Sequence, residues 1–323
     1  VRSRGLGDVY KRQPQDVHAA AARLQGHIVR TPMLRSASLD KTLGATVLVK
    51  PEVLQRTGTF KLRGATNAML RLPADIRARG VVAYSSGNHA QGVACAAAML
   101  GVPATIVMPA DAPAIKREST EFWGARVVSY DRFTEDRAAI AASIAAETGA
   151  SLIPPYDHPD VIAGQGTAAL ELLEDAKAAG LTMDDYITPA GGGGLAAGTA
   201  LAFSDLSPAT HLHTAEPEGW DDTARSLAAG ARLSNDMKGS PFCDALLSPA
   251  PGELTFAINQ RFYASGVAVS DDEVRAARKL AARTLKLVVE PGGAVALAAL
   301  LAGKIDARGK VVGIMLSGGN ADL

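Results

Sequence analysis

Four consecutive glycines, Gly191, Gly192, Gly193 and Gly194, followed by Leu195, come directly after a strand-like run and before an apolar helical stretch. Unhindered backbone amides at a helix start, together with the helix dipole, form a cradle for a phosphate group. A tight turn with positive φ would account for one or two of the glycines but hardly for four. A dinucleotide fingerprint fits less well, because GGGGLAAG has neither GxGxxG spacing nor a ribose-binding acid at the expected distance, and there is no Walker lysine. A second candidate is Lys61 in TGTFKLRGA, where it follows Phe60 at a loop-to-helix junction. A lysine in a first helical turn is ordinarily a solvated charge, so Lys61 gains weight only from what it is placed against.

The elements that would position these groups are readable from periodicity. Strand-like runs occur at Thr46 to Lys50, Val81 to Tyr84, Ala104 to Met108, Arg126 to Ser129, Tyr186 to Pro189, His211 to Ala215 and Val311 to Leu316. They alternate with helical stretches at Asn88 to Leu100, Pro113 to Trp123, Glu135 to Thr148, Pro159 to Ala179 and Asp271 to Leu287. The alternation predicts an α/β fold of twisted, mostly parallel sheets flanked by helices. Three runs end in Gly or Ser clusters that open the next helix: Tyr84 into SSGN, Pro189 into AGGGG and Leu316 into SGGN. Ligands of open α/β sheets bind at the carboxyl ends of strands, so three such turns predict one shared site.

Bulk properties narrow the function. The 323 residues are 47% hydrophobic, enough for two domains or one large α/β unit. Equal numbers of acidic and basic residues leave no net field to draw nucleic acid or an anionic membrane, and a small neutral or zwitterionic substrate fits better. The uncharged stretch from Val81 to Ala110 contains Ser85, Ser86, Asn88, Gln91 and Pro103, which argues against a membrane span. Two cysteines, Cys95 and Cys243, suit a reducing cytoplasm. Residues 1–13 lack an apolar signal core and read as a leader unrelated to the fold.

The runs QRTGTFKLRGA, YSSGNHAQGVA, VIAGQGTAALE, VVEPGGAVALAAL and LSGGNADL, with the tetraglycine turn, occur in the order seen in fold-type II pyridoxal phosphate enzymes. From Asp16 onward the chain resembles serine and threonine dehydratases, serine racemase and hydroxyaspartate dehydratase. The resemblance implies a two-domain, tryptophan synthase β-like fold: 14–77 with 155–323 as the large cofactor domain, and 78–154 as a smaller mobile domain. It implies pyridoxal 5′-phosphate held on Lys61 as a Schiff base, with Lys61 also accepting the Cα proton. Phe60, Asn88, the turn 191–194 with Leu195, and Ser317 would hold the cofactor, Asn88 at the phenolic oxygen and Ser317 at the pyridine nitrogen. A hydroxyl partner there makes a weaker electron sink than an aspartate, which favours β-elimination. Ser86 matches the racemase's base on the opposite face, and in a pure dehydratase it would only orient the substrate. Ser85, Ser86 and His89 would receive the substrate carboxylate, although His89 reads equally well as a helix-terminus histidine satisfied by hydrogen bonds.

The activity implied is dehydration and deamination of a hydroxy amino acid (L-threonine, L-serine or 3-hydroxyaspartate) to a 2-oxo acid and ammonia. The alternatives are a serine or aspartate-type racemase and a non-catalytic amino-acid-binding homologue. Arg137, and after it Arg132, matches the arginine with which the racemase grips dicarboxylates; otherwise each is a surface arginine paired with neighbouring acids. The segment EPEGWDD resembles the family's cation loop, with Glu216, the carbonyl of Trp220 and Asp222 as ligands for Mg²⁺, Mn²⁺ or Ca²⁺; the other reading is an acidic, solvated helix start. Two departures stand out. Ala245 follows Asp244 where dehydratases carry a glycine, which would narrow the pocket, and Trp220 is bulkier than the family residue. A homodimer without the C-terminal regulatory domain of biosynthetic threonine dehydratases completes the expectation, and with it a catabolic role.

Overall fold

The computed structural model describes residues 13–85, 87–112 and 114–321. Within them the strands are β1 (Thr46–Pro51), β2 (Val81–Tyr84), β3 (Ala104–Pro109), β4 (Arg126–Tyr130), β5 (Ser151–Leu152), β6 (Asp185–Pro189), β7 (His211–Pro217), β8 (Tyr263–Val269) and β9 (Val311–Leu316). The helices are α1 (Pro14–Leu24), α2 (Ala37–Leu43), α3 (Lys61–Arg71), α4 (Ala74–Arg77), α5 (Asn88–Leu100), α6 (Ala114–Phe122), α7 (Arg137–Thr148), α8 (Pro159–Ala178), α9 (Gly194–Leu206), α10 (Asp222–Ala229), α11 (Glu253–Phe262), α12 (Asp271–Thr284) and α13 (Val295–Leu301).

The strands form two sheets, one in the order β1-β9-β6-β7-β8 and one in the order β4-β3-β2-β5. Every pairing in both is parallel. The reason lies in the side-chain alternation. In the five-stranded sheet Val47, Val49, Ile187, Val312 and Ile314 pack on one face against α12 and α13, while Leu48, Tyr186, Leu212 and Met315 pack on the other against α8 and α9. In the smaller sheet Val81, Ala83, Ile106 and Met108 face α3 and α5, whereas Val82 and Val107 face Ala141 of α7. Each sheet is therefore buried on both faces, the condition that parallel sheets require. The expected class, parallel sheets flanked by helices, is the one observed.

Two strands were not expected. β8 reads YASGVAV, too rich in small residues to signal a strand, and it pairs with β7 across a register irregularity at Leu212/His213. β5 has only two residues and is defined by pairing to β2. The expected end of α12 at Leu287 moves to Thr284, and the expected start of α7 at Glu135 moves to Arg137, because Asp136 caps that helix through the amides of Ala138 and Ala139.

Helix α8 is the spine between the parts of the site. A Cβ on Gly164 would lie 2.7 Å from the carbonyl oxygen of Arg63, and one on Gly198 would lie 2.3 Å from that of Ile162, so α3 and α9 approach α8 at backbone distance. This is the physical content of the VIAGQGTAALE run. Close against that contact lies a buried ion cluster. Arg63 reaches Glu52 through Nε at 2.7 Å and Glu171 through Nη1 at 2.7 Å, and Lys50 Nζ donates to Glu171 at 2.6 Å. Arg63, Lys50 and Glu52 are wholly buried, and two cations face two anions, so the cluster ties α3 to β1 and α8 with little net charge.

Candidate active site

The β6 strand ends at Pro189 and runs into the tetraglycine turn, β9 ends at Leu316 and runs into Ser317, and β2 ends at Tyr84 and runs into Ser85. One cleft receives all three ends. It is lined by Phe60, Lys61, Ser85, Asn88, His89, Arg137, Gly191, Gly192, Gly193, Gly194, Leu195 and Ser317, together with groups from residues 244–248. The positions singled out for cofactor and amino acid thus converge, with one exception: Ser86 lies outside the described residues.

Lys61 is the first residue of α3, and its loop is pinned to the β9 end by a Thr59–Gly318 bridge and a bond from the Phe60 amide to the Ser317 carbonyl. Its Nζ donates to the Pro155 carbonyl at 2.8 Å. Burial lowers the lysine to about 8, against the opposing pull of Glu290. Such an amine is partly neutral near physiological pH, so it can bond to a carbonyl carbon or take up a proton.

The glycine turn is held from behind by α11. Thr255 Oγ1 donates to the Gly192 carbonyl at 2.7 Å and Asn259 Nδ2 to that of Gly193 at 3.4 Å, while Asp157 accepts from the amides of Glu253, Leu254 and Thr255 at the start of α11. Gly193 has φ +89, which a side chain would strain, and a Cβ on Gly192 would stand 2.4 Å from the Tyr156 ring. The turn therefore opens α9 with backbone alone beside an aromatic wall, a shape that fits a phosphate.

Asn88 opens α5. Its Nδ2 donates to Glu290 Oε1 at 2.6 Å, and its Oδ1 accepts from Asn320 at 2.9 Å. Glu290 is buried, and its second oxygen has no hydrogen-bond partner among the described residues. Burial pushes its carboxyl up to about 7, with the neighbouring Asp244 adding to the rise and the Asn88 bond opposing it. Glu290 stood in the VVEPGGA run without a role; an acid set between apolar residues was the available signal. His89 bonds the Ile153 carbonyl through Nε2 at 2.9 Å, while its buried Nδ1 has no partner in the described structure. Burial and then the Lys61 charge hold it down to about 3, so it is neutral. It satisfies the helix-terminus reading and still lines the cleft.

The two candidate arginines separate. Arg132 pairs with Asp111 at 2.7 Å on the exposed surface, away from the cleft. Arg137 lines the cleft, lies 5.4 Å from the Tyr84 ring centroid and makes no ion pair among the described residues. A cation at the first residue of a helix sits against the dipole, so stability alone does not account for it.

Glu216 and Asp222 lie outside this cleft, at the end of β7 and the start of α10. Glu216 accepts from the amides of Thr223 at 3.0 Å and Ala224 at 2.7 Å, as a carboxylate at a helix start does. Burial and the nearby Asp222 raise it well above the ordinary carboxylate range. Asp222 Oδ1 accepts from Asn235 at 2.5 Å, and its buried Oδ2 has no partner among the described residues. Trp220 places its ring NH on the Ser240 carbonyl at 2.9 Å. Among the described residues no three His, Cys, Asp or Glu side chains cluster as a metal site.

The sequence profile described as pyridoxal-phosphate dependent enzyme matches residues 24–318. The chain belongs to this family. Two relatives, L-threo-3-hydroxyaspartate ammonia-lyases of Pseudomonas sp and Saccharomyces cerevisiae, are 47% and 45% identical over 308 residues; the alignments cover 95% of this chain in both cases, and 95% and 93% of those proteins. Among solved structures, the T.th. threonine deaminase superposes with a TM-score of 0.91 at 43% identity, covering 97% of this chain and 99% of that one. For a member of the family, the cleft's amine of lowered basicity, glycine turn and buried hydroxyl of Ser317 are the groups that fit its cofactor.

Proposed function

We propose that this protein is an ammonia-lyase that dehydrates and deaminates a 3-hydroxy amino acid, with 3-hydroxyaspartate as its preferred substrate. The observation that carries the reading is Arg137, a cation without an acid partner among the described residues, in the same cleft as Lys61. The names of the two ammonia-lyase relatives point the same way.

When bound, pyridoxal phosphate supplies an electron sink conjugated to the substrate nitrogen. Lys61 would hold it, with the turn 191–194 and Leu195 at the phosphate, Phe60 and Asn88 beside it and Ser317 at the ring nitrogen. Lys61 Nζ then takes the Cα proton, which its lowered basicity permits near neutral pH. Ser85 and the amides at the start of α5 receive the α-carboxylate, while neutral His89, which donates through Nε2 to the Ile153 carbonyl, keeps only an acceptor at Nδ1 and borders this subsite without bonding the anion. Arg137 binds the distal carboxylate through its guanidinium fork. Ser86 keeps its proposed role of orienting the substrate or acting as base on the far face. Loss of hydroxide from Cβ and hydrolysis of the released enamine give a 2-oxo acid and ammonia.

The test compares steady-state turnover of L-threo-3-hydroxyaspartate, L-threonine and L-serine. Lys61→Ala is expected to abolish both turnover and the cofactor's visible absorbance, and retention of full turnover would sink the mechanism. Arg137→Ala should lower kcat/KM for hydroxyaspartate relative to L-threonine by about 10²-fold, the scale of losing one partner of a charged pair; an unchanged ratio removes the clamp. Chiral analysis of the unreacted substrate separates elimination from racemisation.

Three further assignments belong to this reading. A hard divalent cation, Mg²⁺, Mn²⁺ or Ca²⁺, is proposed at Glu216, Asp222 and the Trp220 carbonyl, because the two mutually repelling buried carboxylates and the orphan Asp222 oxygen need a positive charge. Residues 78–154 are proposed as the smaller domain, since the four-stranded sheet draws only on them. The working form is proposed as a homodimer in the cytoplasm, where the buried free thiols of Cys95 and Cys243 are at home; sedimentation equilibrium measures the first point.

A further inference from the structure

Lys116 is a lysine that is mostly buried. It stands on α6, its side chain is 11% exposed, and its Nζ is bonded to the carboxylate of Asp244, 128 residues away. The side chain crosses Gly87, where a Cβ would meet Lys116 Cδ at 3.2 Å and Nζ at 3.3 Å, so it runs directly past the start of α5. Asp244 comes from the other side, in the turn 244–246 that lies against the core of the five-stranded sheet. Both residues line the cleft. The pair therefore spans the mouth from α6, beside the smaller sheet, to the wall built on the larger one. Its field reaches inward as well, since Asp244 raises the Glu290 carboxyl and Lys116 lowers it.

Asp244 is the acid that the substrate reading leaves unexplained. Its carboxylate is 44% exposed in a cleft offered to a dicarboxylate, and an unpaired anion there would repel the side chain that Arg137 is to receive. Lys116 cancels it. A single ion pair with one partner in water contributes little to overall stability, so opening it carries a small cost.

We propose that Lys116 and Asp244 form a charge latch that closes α6 and the start of α5 over the bound amino acid and, by neutralising Asp244, sets the preference for an acidic substrate side chain. The second half rests on the dicarboxylate reading above; the first does not.

The experiment uses the cofactor-loaded enzyme and its Lys116→Met and Asp244→Asn variants. Trp123 follows α6 and faces Arg56, Thr57, Gly58 and Asn320 across a groove, and the other tryptophan, Trp220, is 4% exposed, so acrylamide quenching reads chiefly Trp123. L-Aspartate and L-alanine, which have no β-hydroxyl to lose, serve as probes. Binding of either should reduce quenching in the wild type, and at least about half of that change should disappear in both variants, as expected of a ligand-driven closure. In Lys116→Met the ratio of kcat/KM for hydroxyaspartate to that for L-threonine should fall at least about tenfold, whereas Asp244→Asn should hold or raise it, because only the first leaves an unpaired carboxylate. Equal probe responses in the wild type and both variants overturn the latch, and a proportional loss on both substrates overturns its role in selectivity. If the wild type turns over L-threonine but no hydroxyaspartate, the substrate reading fails by itself, and the quenching series still decides the latch.

Discussion

Glu290 and Lys61 illustrate how position overrides residue type. In the unfolded chain Glu290 titrates as an ordinary carboxylic acid near 4.5, whereas in the fold it is raised to about 7 by burial, with Asp244 adding to the effect. Between those values the folded state binds more protons than the unfolded one, so the stability Glu290 contributes is complete below 4.5 and is lost as pH rises through about 7. Glu290→Gln keeps an acceptor for Asn88 and cannot ionise. Its melting temperature relative to wild type should therefore climb between about pH 5 and about pH 8 in calorimetry of the cofactor-free protein, and a flat difference would show that Glu290 does not change charge there. At this scale the cleft-lining residues Lys61, Asn88, Ser317 and the glycines were legible because each stands in a local motif. Glu290, Tyr156 and Lys116 were not, since their importance comes from groups they meet only after folding. The same cause separates Arg132 from Arg137: five residues apart in one acidic run, they differ in whether a neighbour's ring or an exposed aspartate receives them.

Helices α3, α8 and α9 set the distance between the Lys61 amine and the glycine turn. Their spacing depends on backbone contact at Gly164 and Gly198 and on Arg63, whose guanidinium engages two carboxylates. Replacing Arg63 with methionine leaves Glu52 and Glu171 sharing only Lys50, and removal of one partner from a buried pair costs about 3–5 kcal/mol. Urea unfolding of Arg63→Met is expected to show a loss on that scale, and a loss below about 1 kcal/mol would mean that the cluster relaxes by admitting water. The strand pattern was largely visible in advance because burial on both faces leaves near-continuous apolar runs, whereas α1, α2, α4, α11 and α13 were not read from the sequence. β8 escaped because Ser265, Gly266 and the alanines around them carry no β-branched signal, and its strand exists by pairing with β7.

For the whole molecule, the proposed cation and the latch are independent tests of assembly. The carboxylates of Glu216 and Asp222 repel each other beneath α10, so loss of a bound ion would leave an uncompensated acidic pair. Chelation should lower the melting temperature measurably, with about 1 kcal/mol corresponding to about 2 °C or slightly less in a chain of this length, and Asp222→Asn should blunt the response. An identical melt with and without chelator would favour the plain helix-start reading. The family and the parallel α/β class were determined by the linear sequence, because they reside in short motifs whose order along the chain carries the information, and the proposed anchor Lys61 stands in one of those motifs. The sequence already ranked Arg137 ahead of Arg132, but the setting of the first in the cleft and of the second on an exposed aspartate, the neutral state of His89 and the pairing of Lys116 with Asp244 were decided only by tertiary structure, because each depends on burial and on charges brought together from distant segments.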